Sequence, residues 1–198
     1  MKSFIAILFM CSLLAACSNS SSHPEHGEAQ VGNAYADSIN NGLIATDTMK
    51  RSIPRTAMNT IANTHVHITY HSPGVKGRII WGGLVPYGQV WVTGAHTATS
   101  VQFSEAVTIA GKKVEAGTYA LFTIPGETEW TFILNKNYKQ HLTDNYNEAE
   151  DVLRTTLKPQ TNEMVQRLTY RVIKTGDAAG SITVEWERVK LEIPFTSL

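Results

Sequence analysis

The chain has 198 residues, with 17 Lys plus Arg balanced by 17 Asp plus Glu. No basic stripe interrupts that balance, so nucleic acid is not an expected partner. Its two cysteines, Cys11 and Cys17, both lie at the extreme N-terminus. The rest of the chain therefore has no thiol for a disulfide, an iron–sulfur cluster, a zinc–thiolate site or a cysteine nucleophile.

Residues 1–16 read as a signal peptide. "MKSFIAILFMCSLLAAC" has one cation, Lys2, followed by an apolar run and small residues before a cut. The run is short for a membrane span, which takes ~20 residues. Its Leu14-Ala15-Ala16-Cys17 ending resembles the lipobox of bacterial lipoproteins. The resemblance implies cleavage before Cys17, acylation of that residue and attachment to a membrane. Each buried CH₂ of the acyl chains contributes ~0.8 kcal/mol to anchoring. Cleavage removes Cys11 and Lys2, leaving 16 cations against 17 acids, a net charge of −1. A mature chain without a spare thiol suits an oxidising cell envelope. Ser18 after Cys17, where no aspartate stands, favours the outer membrane as the destination under the sorting rule for such proteins.

Residues 17–52 are rich in Ser, Asn, Gly and Ala and poor in large apolar residues. Such a stretch buries little surface to offset chain entropy, so the sequence predicts a flexible, disordered tether. "HPEH" at 23–26 reads as polar filler within it.

Residues 53–198 suffice for one domain with a real core. In "HVHITYH" (65–71), His65, His67 and His71 alternate with Val66, Ile68 and Tyr70. The even positions are predicted to be buried and the histidines to lie on a wet face. Regular strand geometry places His67 and His71 ~13 Å apart. Zinc holds nitrogens at ~2.0–2.1 Å, so the three cannot share one ion. No structural metal and no cofactor is expected.

Residues 70–104 mix glycines at 74, 77, 82, 83, 88 and 94 with apolar residues, Pro73, Pro86, Trp81 and Trp91. That is a long structured excursion, and long ordered loops often carry function. The binding residues expected there are Lys76, Arg78, Trp81, Trp91 and His96, with the two tryptophans either plugging the end of the fold or forming a ligand platform. "VTIAGKKVEAG" then reads as strand and turn. "GTYALFTIP" (117–125) and "EWTFILN" (129–135) are apolar on both parities, which predicts strands covered on both faces, with "PGETE" as their hairpin loop. A short helix is expected near 146–154, with Asn147 as its cap. At the C-terminus Leu168, Tyr170 and Val172, then Ile182, Val184 and Trp186, then Val189, Leu191, Ile193 and Phe195 alternate with polar residues. Outward arginines of the first run are expected to pair with Glu185 and Glu187 across a hairpin at ~0.2–1 kcal/mol per pair. Repeated short strands without a helical period predict an all-β fold, an antiparallel β-sandwich or jelly-roll-like single domain.

"SPGVKGRIIWGGLVPYGQVWVTGAHTAT", "AGKKVEAGTYALFTIPG", "EWTFILNK" and "EDVLR" resemble, in that order, the bacterial family called domain of unknown function 2911. The likeness runs from roughly Arg51 to the C-terminus. It implies a secreted or lipid-anchored β-rich domain and no particular reaction. The family pattern carries arginines, an asparagine and a glutamate where Ser72, Val92, His96 and Thr97 stand here; Lys76, Arg78, Gly94, Ala95 and Thr99 match it.

No G-x-S-x-G elbow, phosphate-binding loop, H-E-x-x-H or G-x-G-x-x-G occurs. The sequence therefore predicts a non-enzymatic envelope lipoprotein that binds a glycan, peptide or protein through residues 76–99. The alternative is a hydrolase-like or metal-assisted enzyme using His96 with Arg78 or Lys76.

Overall fold

Period-two patterning sets the strands. In a computed structural model that describes residues 24–198, ten strands form two antiparallel sheets. One sheet has the order β1-β2-β3-β6-β7-β8, made of β1 (Ile53–Ile61), β2 (Thr64–Ser72), β3 (Ser100–Phe103), β6 (Gly117–Ile124), β7 (Trp130–Asn135) and β8 (Asp151–Leu157). The other has the order β5-β4-β10-β9, made of β4 (Val107–Ile109), β5 (Lys112–Val114), β9 (Gln160–Lys174) and β10 (Ala179–Ser197). The domain is the all-β sandwich that the strand pattern predicts.

The main core lies between the sheets. Val66, Ile68 and Tyr70 of β2 and Leu121, Phe132 and Leu134 of β6 and β7 meet Leu168, Tyr170, Val184, Trp186 and Ile193 of β9 and β10. Strand β2 buries its even positions; His65 is exposed, and His67 and His71 are half-buried. Strands β6 and β7 are apolar on both parities because both faces are covered. Ala120, Phe122 and Ile133 form a second cluster with Val92 and Ala98 of the long excursion. Full burial of a side chain such as Phe122 stabilises by about 1.5–3 kcal/mol.

Two C-terminal runs fuse into one strand. Buried positions are even at 182, 184 and 186 but odd at 191, 193 and 195. The pairing with β9 shifts on both sides of Glu187, which has a φ of 56°. A bulge inserts a residue and so reverses which parity faces inward. The helix expected near 146–154 shrinks to a single 3₁₀ turn, Glu148–Glu150, capped by Asn147, whose side chain accepts from the Ala149 N–H. The following residues leave helical conformation because they pair with β7 as β8.

Residues 24–52 differ from the expected tether. Helix α1 (Pro24–Asn40) packs on β1 and β9, each the edge strand of its sheet. Covering two edges at once protects both from pairing with another chain. The helix needs few large apolar residues because small ones bring it close: Ala29 and Ala36 are buried. At Gly32 a Cβ would overlap the Pro54 carbonyl. Polar groups do the rest. The buried Arg55 guanidinium donates to Asp37 (2.6 Å), Asn33 (3.0 Å) and Thr169 (2.8 Å). Asn40 donates to the Arg167 carbonyl (3.0 Å) and accepts from its N–H (2.8 Å). The signal peptide and Cys17 lie outside the described residues.

Arg167 also departs from expectation. It is not on a wet strand face; its side chain is fully buried. Its guanidinium donates to the Ser72 carbonyl (2.9 Å), the Asp47 carboxylate (2.8 Å) and the Met49 carbonyl (3.1 Å). The segment 41–52 covers the position that period-two alternation leaves open to water. The expected cross-strand pairing survives as Arg171–Glu185 at 3.7 Å.

Candidate functional site

The excursion between β2 and β3 is held at both ends by backbone bonds. Val75 N–H donates to the Gln166 carbonyl (2.8 Å) and Leu168 N–H to the Pro73 carbonyl (3.1 Å), fixing its start on β9. Trp91 N–H donates to the Thr123 carbonyl (2.7 Å), fixing its later part on β6. Thr93 then turns with a φ of 49°, and its carbonyl accepts from the Tyr170 hydroxyl (2.8 Å) and the Thr99 hydroxyl (3.2 Å). Burial pushes the Tyr170 hydroxyl well above its ordinary pKa, so it stays a donor. Gly94 follows because a Cβ there would lie 2.7 Å from the Thr99 Oγ1 and 3.2 Å from the His71 carbonyl.

Four tryptophans gather beneath this loop. Trp81 meets Trp130 with ring centroids 4.8 Å apart, and Trp91 stacks on Trp186 at 5.8 Å with 19° between planes. Trp130 and Trp186 are buried in the core, whereas Trp81 and Trp91 are partly buried against it. The indole N–H groups of Trp81 and Trp186 find no acceptor among the described residues. Leaving such a donor unsatisfied costs about 1–3 kcal/mol.

Above the cluster lies a cleft of about 510 Å³ between residues 50–52 and the excursion. Trp91, Trp186, Leu84 and Val85 supply its apolar lining, and Lys50, Arg51, Lys76 and Arg78 its charge. Among the described residues no aspartate or glutamate lines it. Lys76 has a φ of 50°, and its ammonium donates to the Met49 carbonyl, which links the two walls. Arg78 donates through Nε to the Val75 carbonyl (3.2 Å) and through its guanidinium to the Gly74 carbonyl. The side chains of Lys50 and Arg51 are exposed and form no hydrogen bond or ion pair among the described residues.

Of the five residues expected to form a site, the fold thus brings Lys76, Arg78 and Trp91 to one cleft. Trp81 sits behind it, in the tryptophan cluster. His96 lines a neighbouring cavity of about 740 Å³ on the outer face of β1 and β2, together with His67, His71 and Thr97. His96 therefore does not share a cavity with Lys76 or Arg78. Arg51 and Ser52 line both spaces. Lys50 and Arg51 escaped sequence reasoning because they stand in a stretch that reads as tether.

The sequence profile described as "Protein of unknown function (DUF2911)" matches residues 52–195. The chain belongs to the DUF2911 family. That match runs from the start of the sandwich to Phe195 of β10 and begins just after the two cationic residues Lys50 and Arg51, so α1 and those two cleft-lining cations lie outside it. No curated protein and no solved structure matches the chain. Among the described residues no helix of this DUF2911 protein is long and apolar enough to cross a membrane.

Proposed function

We propose that this DUF2911 protein is a lipid-anchored envelope protein whose sandwich binds an anionic ligand in the cleft between residues 50–52 and 73–95. One observation carries the proposal: four cationic side chains line a cleft that no carboxylate lines, over a partly exposed tryptophan. Asp47 offsets part of the Lys76 charge, but Lys50, Arg51 and Arg78 have no carboxylate partner among the described residues, and an anion relieves the repulsion between them. A half-buried indole face suits the C–H face of a sugar or another flat group. Of the glycan, peptide and protein ligands that the sequence suggests, an acidic glycan combines both features.

The docked helix bears on the anchor. An acylated Cys17 is separated from α1 by residues 18–23, a reach of at most ~25 Å from Cys17 to Pro24 at 3.3–3.6 Å per residue. The sandwich then rides close to the bilayer surface. Changing Cys17 to Ser is expected to move the protein from the membrane fraction to the soluble fraction; retention in the membrane with an uncut leader contradicts the anchor.

The cleft is tested by titrating the chain with oligogalacturonate and with a neutral oligosaccharide of equal length while following tryptophan fluorescence. Saturable change with the acidic sugar alone is expected, weakening as salt screens the charges. Lys50→Glu/Arg51→Glu is expected to abolish it. Equal response to both sugars, or an unchanged response in the charge-reversed variant, contradicts the proposal.

A further inference from the structure

The cavity beside the cleft holds a second, independent feature. His71 leaves the end of β2, and His96 stands on the excursion, 25 residues later in the chain. Their imidazole centroids lie 5.2 Å apart with 81° between planes. We propose that His71 and His96 form a two-imidazole site for a late first-row divalent cation, copper(II) or zinc(II), with its remaining positions open to the cavity.

Three observations carry this. The first is spacing. A ligating nitrogen sits ~2.0–2.1 Å from zinc and the ring centre about 1.1 Å further on, so two imidazoles at a tetrahedral angle have centroids about 5.2 Å apart. The second is orientation of a ring nitrogen. His71 Nδ1 lies 3.3 Å from the Thr97 hydroxyl oxygen. A metal-bound histidine commonly donates its second ring N–H to such an acceptor, which fixes the tautomer and leaves Nε2 for the metal. The third is backbone strain. His96 has a φ of 61°, held by the Leu142 N–H donating to its carbonyl (2.6 Å) and by the bridge between Thr97 and His141. A non-glycine residue in that conformation costs of order 1–3 kcal/mol, and such strain clusters where a side chain must be aimed.

Among the described residues no group of three or more His, Cys, Asp or Glu assembles. With two protein ligands, the remaining positions of the ion are filled by water or by an external donor. Imidazole nitrogen favours copper(II) over the other divalent ions of the series.

The test is equilibrium dialysis of the full chain, without an affinity tag, against copper(II) and separately zinc(II), with electron paramagnetic resonance of the copper form. One copper per chain with coupling to two nitrogens is expected. His71→Ala and His96→Asn should each abolish it; asparagine is chosen because it tolerates a positive φ. His65→Ala and His23→Ala/His26→Ala should retain it. Melting temperatures of the two site variants should match the parent without metal, and only the parent should be raised by metal. No bound copper, copper retained in both site variants, or copper lost only with His23 and His26 overturns the proposal.

Discussion

The cleft has two walls of opposite character. The excursion, residues 73–99, is anchored by tryptophans, backbone ladder bonds and buried threonines, and its sequence advertises structure through Gly, Pro and Trp. The N-terminal wall, residues 24–52, has few large apolar side chains and is ordered by polar anchors: Arg55 with Asp37 and Asn33, Asn40 with the Arg167 backbone, and Asp47 with the Arg167 guanidinium. Apolar anchors can be read from composition. Polar anchors depend on which group ends up opposite which, and that is a property of the fold.

The largest expected effect breaks the N-terminal wall at its hub. Removing one partner of a buried, hydrogen-bonded charge pair costs about 3–5 kcal/mol. Arg167→Ala should therefore lower the denaturant midpoint strongly and make the backbone of residues 41–52 exchange amide protons rapidly. Retention of the parental midpoint would show that the wall stands without this arginine.

A smaller effect separates the helix from the sandwich. Gly32→Ala places a methyl group against the Pro54 carbonyl, and overpacking of this kind costs about 1–3 kcal/mol. Limited proteolysis should then cut within 24–52 while 53–198 resists. Equal resistance of both parts would place α1 in looser contact than the structure has it.

The Arg167–Asp47 pair also gives a pH signature. Burial raises the Asp47 pKa, but the hydrogen bond and charge of Arg167, aided by Tyr35 and Lys76, outweigh it and hold the group below its ordinary 3.8. The folded state thus favours the carboxylate. Its contribution is full above 3.8 and is lost as pH falls through the lowered folded value. Unfolding midpoints measured downward from pH 6 should drop in that acidic window for the parent and drop less for Asp47→Asn; parallel curves would remove Asp47 from the account.

Strand positions were legible because they depend on period. The even face of β2, the doubly covered β6 and β7 and the C-terminal runs all follow from alternation. The bulge at Glu187 is visible in retrospect as the parity change between Trp186 and Leu191. What period could not show is contact across long sequence separations. Asn40 meets Arg167 from 127 residues away, and His71 meets His96 from a different kind of element. For the same reason Lys76, Arg78 and Trp91 could be grouped from sequence, being close in the chain, while Lys50 and Arg51 could not.

The smallest expected effect on stability falls on the most functional change. Lys50 and Arg51 have exposed side chains without partners among the described residues. Lys50→Glu/Arg51→Glu should move the unfolding midpoint by no more than about 0.5 kcal/mol, as for other surface changes. A large loss of stability would make these residues structural and weaken their assignment to binding.

The measurement that bears most directly on a cleft shared by both walls is amide hydrogen exchange with and without saturating oligogalacturonate. New protection is expected in residues 48–52 and in 74–95 together, and none in β5 or in the β9–β10 turn. Protection confined to one wall, or appearing only on those distant elements, would contradict it.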